Sequence, residues 1–181
     1  MGRNHVVAVV VGLLLAACGG TMSLTEYAEA LEAAAADASN RFDSVNATLN
    51  SADSTLQDAQ LAVKDAAVIG SDLLADLEAM DPPAELAELH TLLLELDREV
   101  VAAQLVWAES ADRAQTVADL LQSPEAQAML RSNDSALAAC RRIQDAFDAT
   151  VEGAVFDDTP WIPSELKESI SVALGCAPGS A

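Results

Sequence analysis

From Ala38 to Met80, apolar or small side chains recur at alternating steps of four and three, through Phe42, Val45, Leu49, Leu56, Val63, Gly70 and Leu77. That period belongs to a helix that buries one stripe along its length. Upstream, Tyr27, Leu31 and Ala35 step by four through a stretch rich in alanine and glutamate, which is strongly helical in its own right. Ser23-Leu24-Thr25-Glu26 has the spacing of a capping box, so a helix is predicted to start there. The stripe crosses residues 45–63 without losing phase, and this favours a single helix over residues 24–80. The alternative is a break near Asn50, because Asn50-Ser51-Ala52-Asp53-Ser54 is rich in turn formers and Ser54 and Gln57 have cap spacing. A single helix would outrun its partners and leave residues 24–41 as a stalk that lifts the domain by about 27 Å.

Asp81-Pro82-Pro83 ends the first run, since proline disfavours helix at the residue before it and fits only a first helical turn. Leu86, Leu89, Leu93, Leu96, Val100, Ala103 and Trp107 then continue the same alternation toward Leu121, predicting a second long helix antiparallel to the first. Ser123-Pro124-Glu125 repeats the start signal, and a third amphipathic helix runs through Met129, Leu137 and Phe147 to Gly153. Val155 to Pro163, with prolines around Trp161, is irregular, and Ser164 to Leu174 forms a short last helix. The fold class is therefore all-α: an up-down bundle of three long antiparallel helices, or four with the break at Asn50, plus a short C-terminal helix. One domain is expected over residues 23–181.

The first residues read differently. Arg3 precedes an apolar run from Val6 to Ala17 that is about as long as the core of a secretory signal and too short to span a bilayer. It closes on Leu15-Ala16-Ala17-Cys18, which resembles the lipobox of bacterial lipoproteins. The resemblance implies cleavage after residue 17, a diacylglyceryl group on the sulfur of Cys18, and a joint over residues 18–22. It places the chain on the extracytoplasmic face of a membrane, in the cell envelope, with the membrane as its first partner.

In that oxidising location Cys140 and Cys176 are left as a pair and are expected to form a disulfide, while a metal site or a catalytic thiol there lacks partner residues. Closing the loop between them would contribute about 3 to 4 kcal/mol by the chain-entropy model. The chain carries 29 acidic against 9 basic side chains, a formal net charge of −20, and loss of Arg3 with the signal makes the balance one unit more negative. So acidic a surface repels phosphate backbones and anionic headgroups, which argues against nucleic acid as a partner and leaves membrane attachment to the lipid.

Little chemistry is legible. His90 is the one histidine after the signal segment, and Ala87 stands where a Glu-x-x-His motif would need its carboxylate, so no metal or cofactor is expected. Nucleophile and phosphate-binding motifs are missing, and no carboxylate pair stands out among so many acids; the reading is non-enzymatic. Two residues are candidate ligand or partner contacts. His90 shares a helical face with Leu86, Leu94 and Asp97, where it is either a boundary histidine with a solvated or satisfied ring or the partner of a carboxylate or ligand on a neighbouring helix. Trp161 either plugs one end of the bundle or projects toward a partner. Arg141-Arg142 could hold an anion, although pairing with Asp145 along the helix is favoured. Trp107, in the seam, is expected to be packing.

A second resemblance covers most of the chain after the signal. Cys18-Gly19-Gly20, the Tyr27 and Leu31 pair, Pro82-Pro83-Ala84-Glu85-Leu86 followed by His90, and a late cysteine resemble small helical lipoproteins of unknown function from GC-rich Gram-positive bacteria. That resemblance implies a helical bundle and no activity. Two functions are compatible with the sequence: a lipid-anchored interaction or spacer module with an envelope protein partner, or a ligand-binding lipoprotein holding a small apolar or cationic molecule between helices. A solid bundle favours the first, and a cavity of a few hundred Å³ with converging polar groups favours the second.

Overall fold

The computed structural model describes residues 21–135 and 138, and Cys18, Cys140, Arg141, Arg142, Trp161, Cys176 and the expected last helix lie outside them. The described residues are all-α. Helix α1 spans Leu24–Asn50 and α2 spans Leu56–Glu78. A 3-10 turn over Ala84–Leu86 leads into α3, Ala87–Ser110. A second 3-10 turn, Ala111–Arg113, precedes the short α4, Val117–Leu121, and α5 occupies residues 124–135.

The start of α1 is the capping box the sequence announces: Ser23 N–H donates to Glu26 Oε2 at 2.8 Å, and Glu26 N–H donates to Ser23 Oγ at 3.2 Å. Such reciprocal bonds satisfy donors that a helix start leaves orphaned. Its end overturns the favoured reading of residues 24–80 as one helix. At Ser51 the backbone turns extended, and the Thr48 carbonyl accepts from Ser51 N–H and from the Ser54 hydroxyl, which closes the end of α1. Thr55 then caps α2 through a second box with Asp58, one residue later than the Ser54 and Gln57 spacing suggests. The hydrophobic phase survives the turn because each helix carries its own seam, and the loop keeps the two in step.

The stalk is overturned with it. Tyr27, Ala28, Leu31, Ala35 and Ala38 are buried, and α1 folds back along α2 for its whole length. Tyr27, Ala28 and Leu31 pack with Leu77, and Ala38 and Val45 pack with Ala62, Ala66 and Ile69 of α2. High helix propensity with few large apolar groups does not free α1 of a partner, because Ala28, Ala35 and Ala38 are buried with the leucine and tyrosine beside them.

The Asp81-Pro82-Pro83 corner is present, and α3 returns antiparallel to α2. Arg98 to Glu78 at 2.7 Å, Gln60 Nε2 to the Ala111 carbonyl at 3.0 Å and Lys64 to Asp112 at 2.7 Å mark the register between α2 and the third leg. Helix α2 is thus the central layer, and α1 and α3 meet across the corner end of it, where Tyr27, Leu31, Leu77, Leu86 and Leu93 form one core cluster.

The expected second helix is also shorter than its pattern. It ends at Ser110, whose hydroxyl donates to the Trp107 carbonyl at 2.8 Å, and Thr116 caps a new start by accepting from Asp119 N–H at 3.0 Å. Trp107 holds the fold-back in place: its ring is buried and Nε1–H donates to the Leu120 carbonyl at 3.1 Å. It is packing, as its place in the seam indicates. Ser123 opens α5 as expected, its Oγ accepting from Ala126 N–H at 3.1 Å.

Candidate functional site

The buried face of α3 is rotated slightly from the seam read in the sequence. Leu96, Val100 and Ala103 are only half-buried, while Leu93, Val101 and Gln104 line the interior. Along its centre run three polar side chains seven residues apart, His90, Asp97 and Gln104, a spacing that returns each to nearly the same face. A polar group in such a place must find a partner or shift its protonation.

His90 has found one. It is 5 % exposed, and the Tyr27 hydroxyl lies 3.0 Å from Nδ1, with the two rings edge to face and their centroids 5.6 Å apart. Burial depresses the imidazole pKa, and a backbone hydrogen bond to Leu77 works in the opposite sense. Burial also lifts the Tyr27 phenol to about 12. Both groups are therefore neutral near pH 7, and the pair ties α1, α2 and α3 together at the corner. His90 is thus buried rather than at the boundary, with its ring bonded to Tyr27.

Asp97 is half-buried, and desolvation raises its carboxyl to about 6. Gln104 is 9 % exposed, and among the described residues its Oε1 has no hydrogen-bond partner. It lies against Gly70 of α2, where an added Cβ would fall on the Gln104 side-chain carbonyl and stand 3.3 Å from Val101 Cγ2. Glycine makes room there for a polar side chain in the core.

A surface cleft of about 470 Å³ opens at the other end of α3, lined by Ser110, Arg113, Asp119, Ser123 and Glu125 over an apolar floor that includes Leu120. Arg113 reaches across to Glu125 at 2.8 Å. Both hydroxyls are engaged in helix-end bonds, Ser110 with Trp107 and Ser123 with Leu120.

Of the residues singled out in the sequence, His90 and Trp107 are placed, at opposite ends of α3. Cys18, Cys140, Cys176 and Trp161 lie outside the described residues. Among the described residues no group of His, Cys, Asp and Glu could hold a metal ion, and no helix is long and apolar enough to cross a membrane. Sequence reasoning missed Tyr27 as the partner of His90, the Gly70–Gln104 contact and the cleft. The available signal was the seven-residue interval that continues the shared face of His90 and Asp97 to Gln104. Compared with known proteins, the chain matches no family model, no curated protein and no solved structure.

Proposed function

We propose that this chain is a lipid-anchored helical module of the cell envelope, non-enzymatic, which presents an acidic surface to an envelope protein on the extracytoplasmic side. The observation that carries the reading is the lipobox-like Leu15-Ala16-Ala17-Cys18 placed just ahead of a capped, packed helix start at Ser23. His90 supports the non-enzymatic part, because its ring is held by Tyr27 in the core. The surface supports the acidic part: Arg41, Lys64, Arg98 and Arg113 are each paired with a carboxylate of the same chain, so the charges left over are overwhelmingly negative. Cys18 is the lipidation site in this reading, and Cys140 and Cys176 form a disulfide. Cys18→Ala tests it. The variant should take up no labelled palmitate and should leave the membrane fraction or remain unprocessed, whereas undiminished label in the variant sinks the proposal.

The cleft supports a second reading, a ligand-binding lipoprotein. With Asp119 and Glu125 against the single Arg113, it suits a small cationic molecule. Titration calorimetry with a short aliphatic diamine should then give saturable heat that Asp119→Asn weakens. No saturable heat leaves the interaction module alone.

A further inference from the structure

We propose that the anchored chain stands on the corner between α2 and α3, Asp81-Pro82-Pro83, with the Ser51–Thr55 turn and the cleft held farthest from the bilayer. The proposal rests on the lipid anchor proposed above and adds which end of the fold meets the lipid surface.

The chain is fixed to the corner ahead of α1. Met22 N–H donates to the Asp81 carbonyl at 2.8 Å, and the Met22 side chain packs on the cluster of Tyr27, Leu77, Leu86 and Leu93. The start of the body is therefore pinned to the corner by a backbone bond and an apolar contact together. Cys18 lies four residues before Met22, and whatever path those residues take they span at most about 14 Å. A lipid on Cys18 cannot leave the corner farther than that from the headgroups.

From the corner α1 carries the chain away for 27 residues, and at 1.5 Å per residue that is about 40 Å. Helix α2 returns and α3 leaves again, so that Ala111 and Asp112 come beside Gln60 and Lys64, near the start of α2. The turn at Ser51–Thr55 and the cleft over residues 110–125 thus share the end opposite the tether.

A short joint could still let the bundle lie on its side, and the charge of its flanks opposes this. Glu95 and Glu99 on α3 and Asp65 and Asp76 on α2 are exposed, and among the described residues none of them has a salt-bridge partner. An anionic bilayer repels such flanks within a Debye length of about 8 Å. The corner end is acidic too, with Glu26, Glu29, Asp81, Glu85 and Glu88 exposed, but there the tether fixes the distance. Upright, the protein keeps the acidic flanks of α2 and α3 away from the headgroups and offers its partner the far end.

The test uses the full, acylated protein in vesicles of phosphatidylcholine and phosphatidylglycerol that contain a headgroup-labelled acceptor lipid. A fluorescent amino acid replaces Glu85 at the corner or Asp53 at the turn, both exposed. Energy transfer from position 85 should exceed that from position 53 several-fold. Should either variant fail to give the parent helical circular dichroism, positions 88 and 57, also exposed, replace the pair. Equal or reversed transfer in an acylated, vesicle-bound protein overturns the upright orientation alone. A mass that shows no acyl group on Cys18 removes the tether, and with it both the anchor and the orientation.

Discussion

Tyr27 and His90, 63 residues apart, share one buried hydrogen bond of 3.0 Å that joins the first helix to the third. If Nδ1 accepts from the phenol, the proton of the neutral ring sits on the other nitrogen, which suits the backbone bond at Leu77. Tyr27→Phe should leave a buried acceptor unsatisfied and lower stability by about 1 to 3 kcal/mol in urea unfolding. In the double variant with His90→Leu, the loss should be clearly less than the sum of the singles, because only one interaction is removed. Additive losses would mean that the bond contributes nothing of its own.

Gly70 tests the packing of α2 on α3 with opposite signs in two backgrounds. In the parent, Gly70→Ala drives a methyl onto Gln104 and Val101 and should destabilise. In Gln104→Ala that obstruction is largely gone, and the better helix propensity of alanine should make the same change stabilising by roughly 0.5 to 1 kcal/mol. Thermal melts of the four proteins decide it; the same sign in both backgrounds contradicts the contact.

Asp97 and His90 give opposed pH dependences. The Asp97 carboxyl is raised from about 4 when unfolded to about 6 when folded, so the native state holds its proton more tightly and stability falls as pH rises between these values. The His90 pKa is depressed by folding, so its contribution is lost as pH falls through the ordinary histidine value and below. Asp97→Asn should therefore raise the melting temperature at pH 7 and steepen the loss of stability from pH 7 to pH 5, because the opposing contribution of Asp97 is gone while that of His90 stays. An unchanged profile would show that Asp97 is solvated.

Hydrogen exchange reads the break at Ser51 directly. Amides of residues 28–38 should be protected to the same order as those of residues 62–70, since both sets carry buried residues in the packed core, while residues 51–54 exchange fast. A gradient in α1 that falls steadily toward Leu24 would restore the stalk.

Some of this molecule was legible in the residues alone. The Ser23 and Glu26 box, the Pro82-Pro83 corner and the Ser123 start follow from local chemistry: a hydroxyl and a carboxylate three residues apart, a ring that removes a donor, a hydroxyl ahead of a proline. Those interactions are made within a turn or two of chain, so the order of residues suffices to determine them. The helical class follows the same way, from a period that only a helix can bury. The break at Ser51 was not decided by the period, because a stripe in phase on both sides is as compatible with a turn as with a continuous helix. What settled it is the contact of Ala38 and Val45 with Ala62, Ala66 and Ile69, a gain that exists only after the chain folds back. The choice of partner for His90, the room Gly70 makes for Gln104 and the return of Leu120 over Trp107 are likewise meetings of residues far apart in the chain or on different elements. Sequence spacing sets which face such residues occupy, and only the packing of one helix on another sets what that face meets.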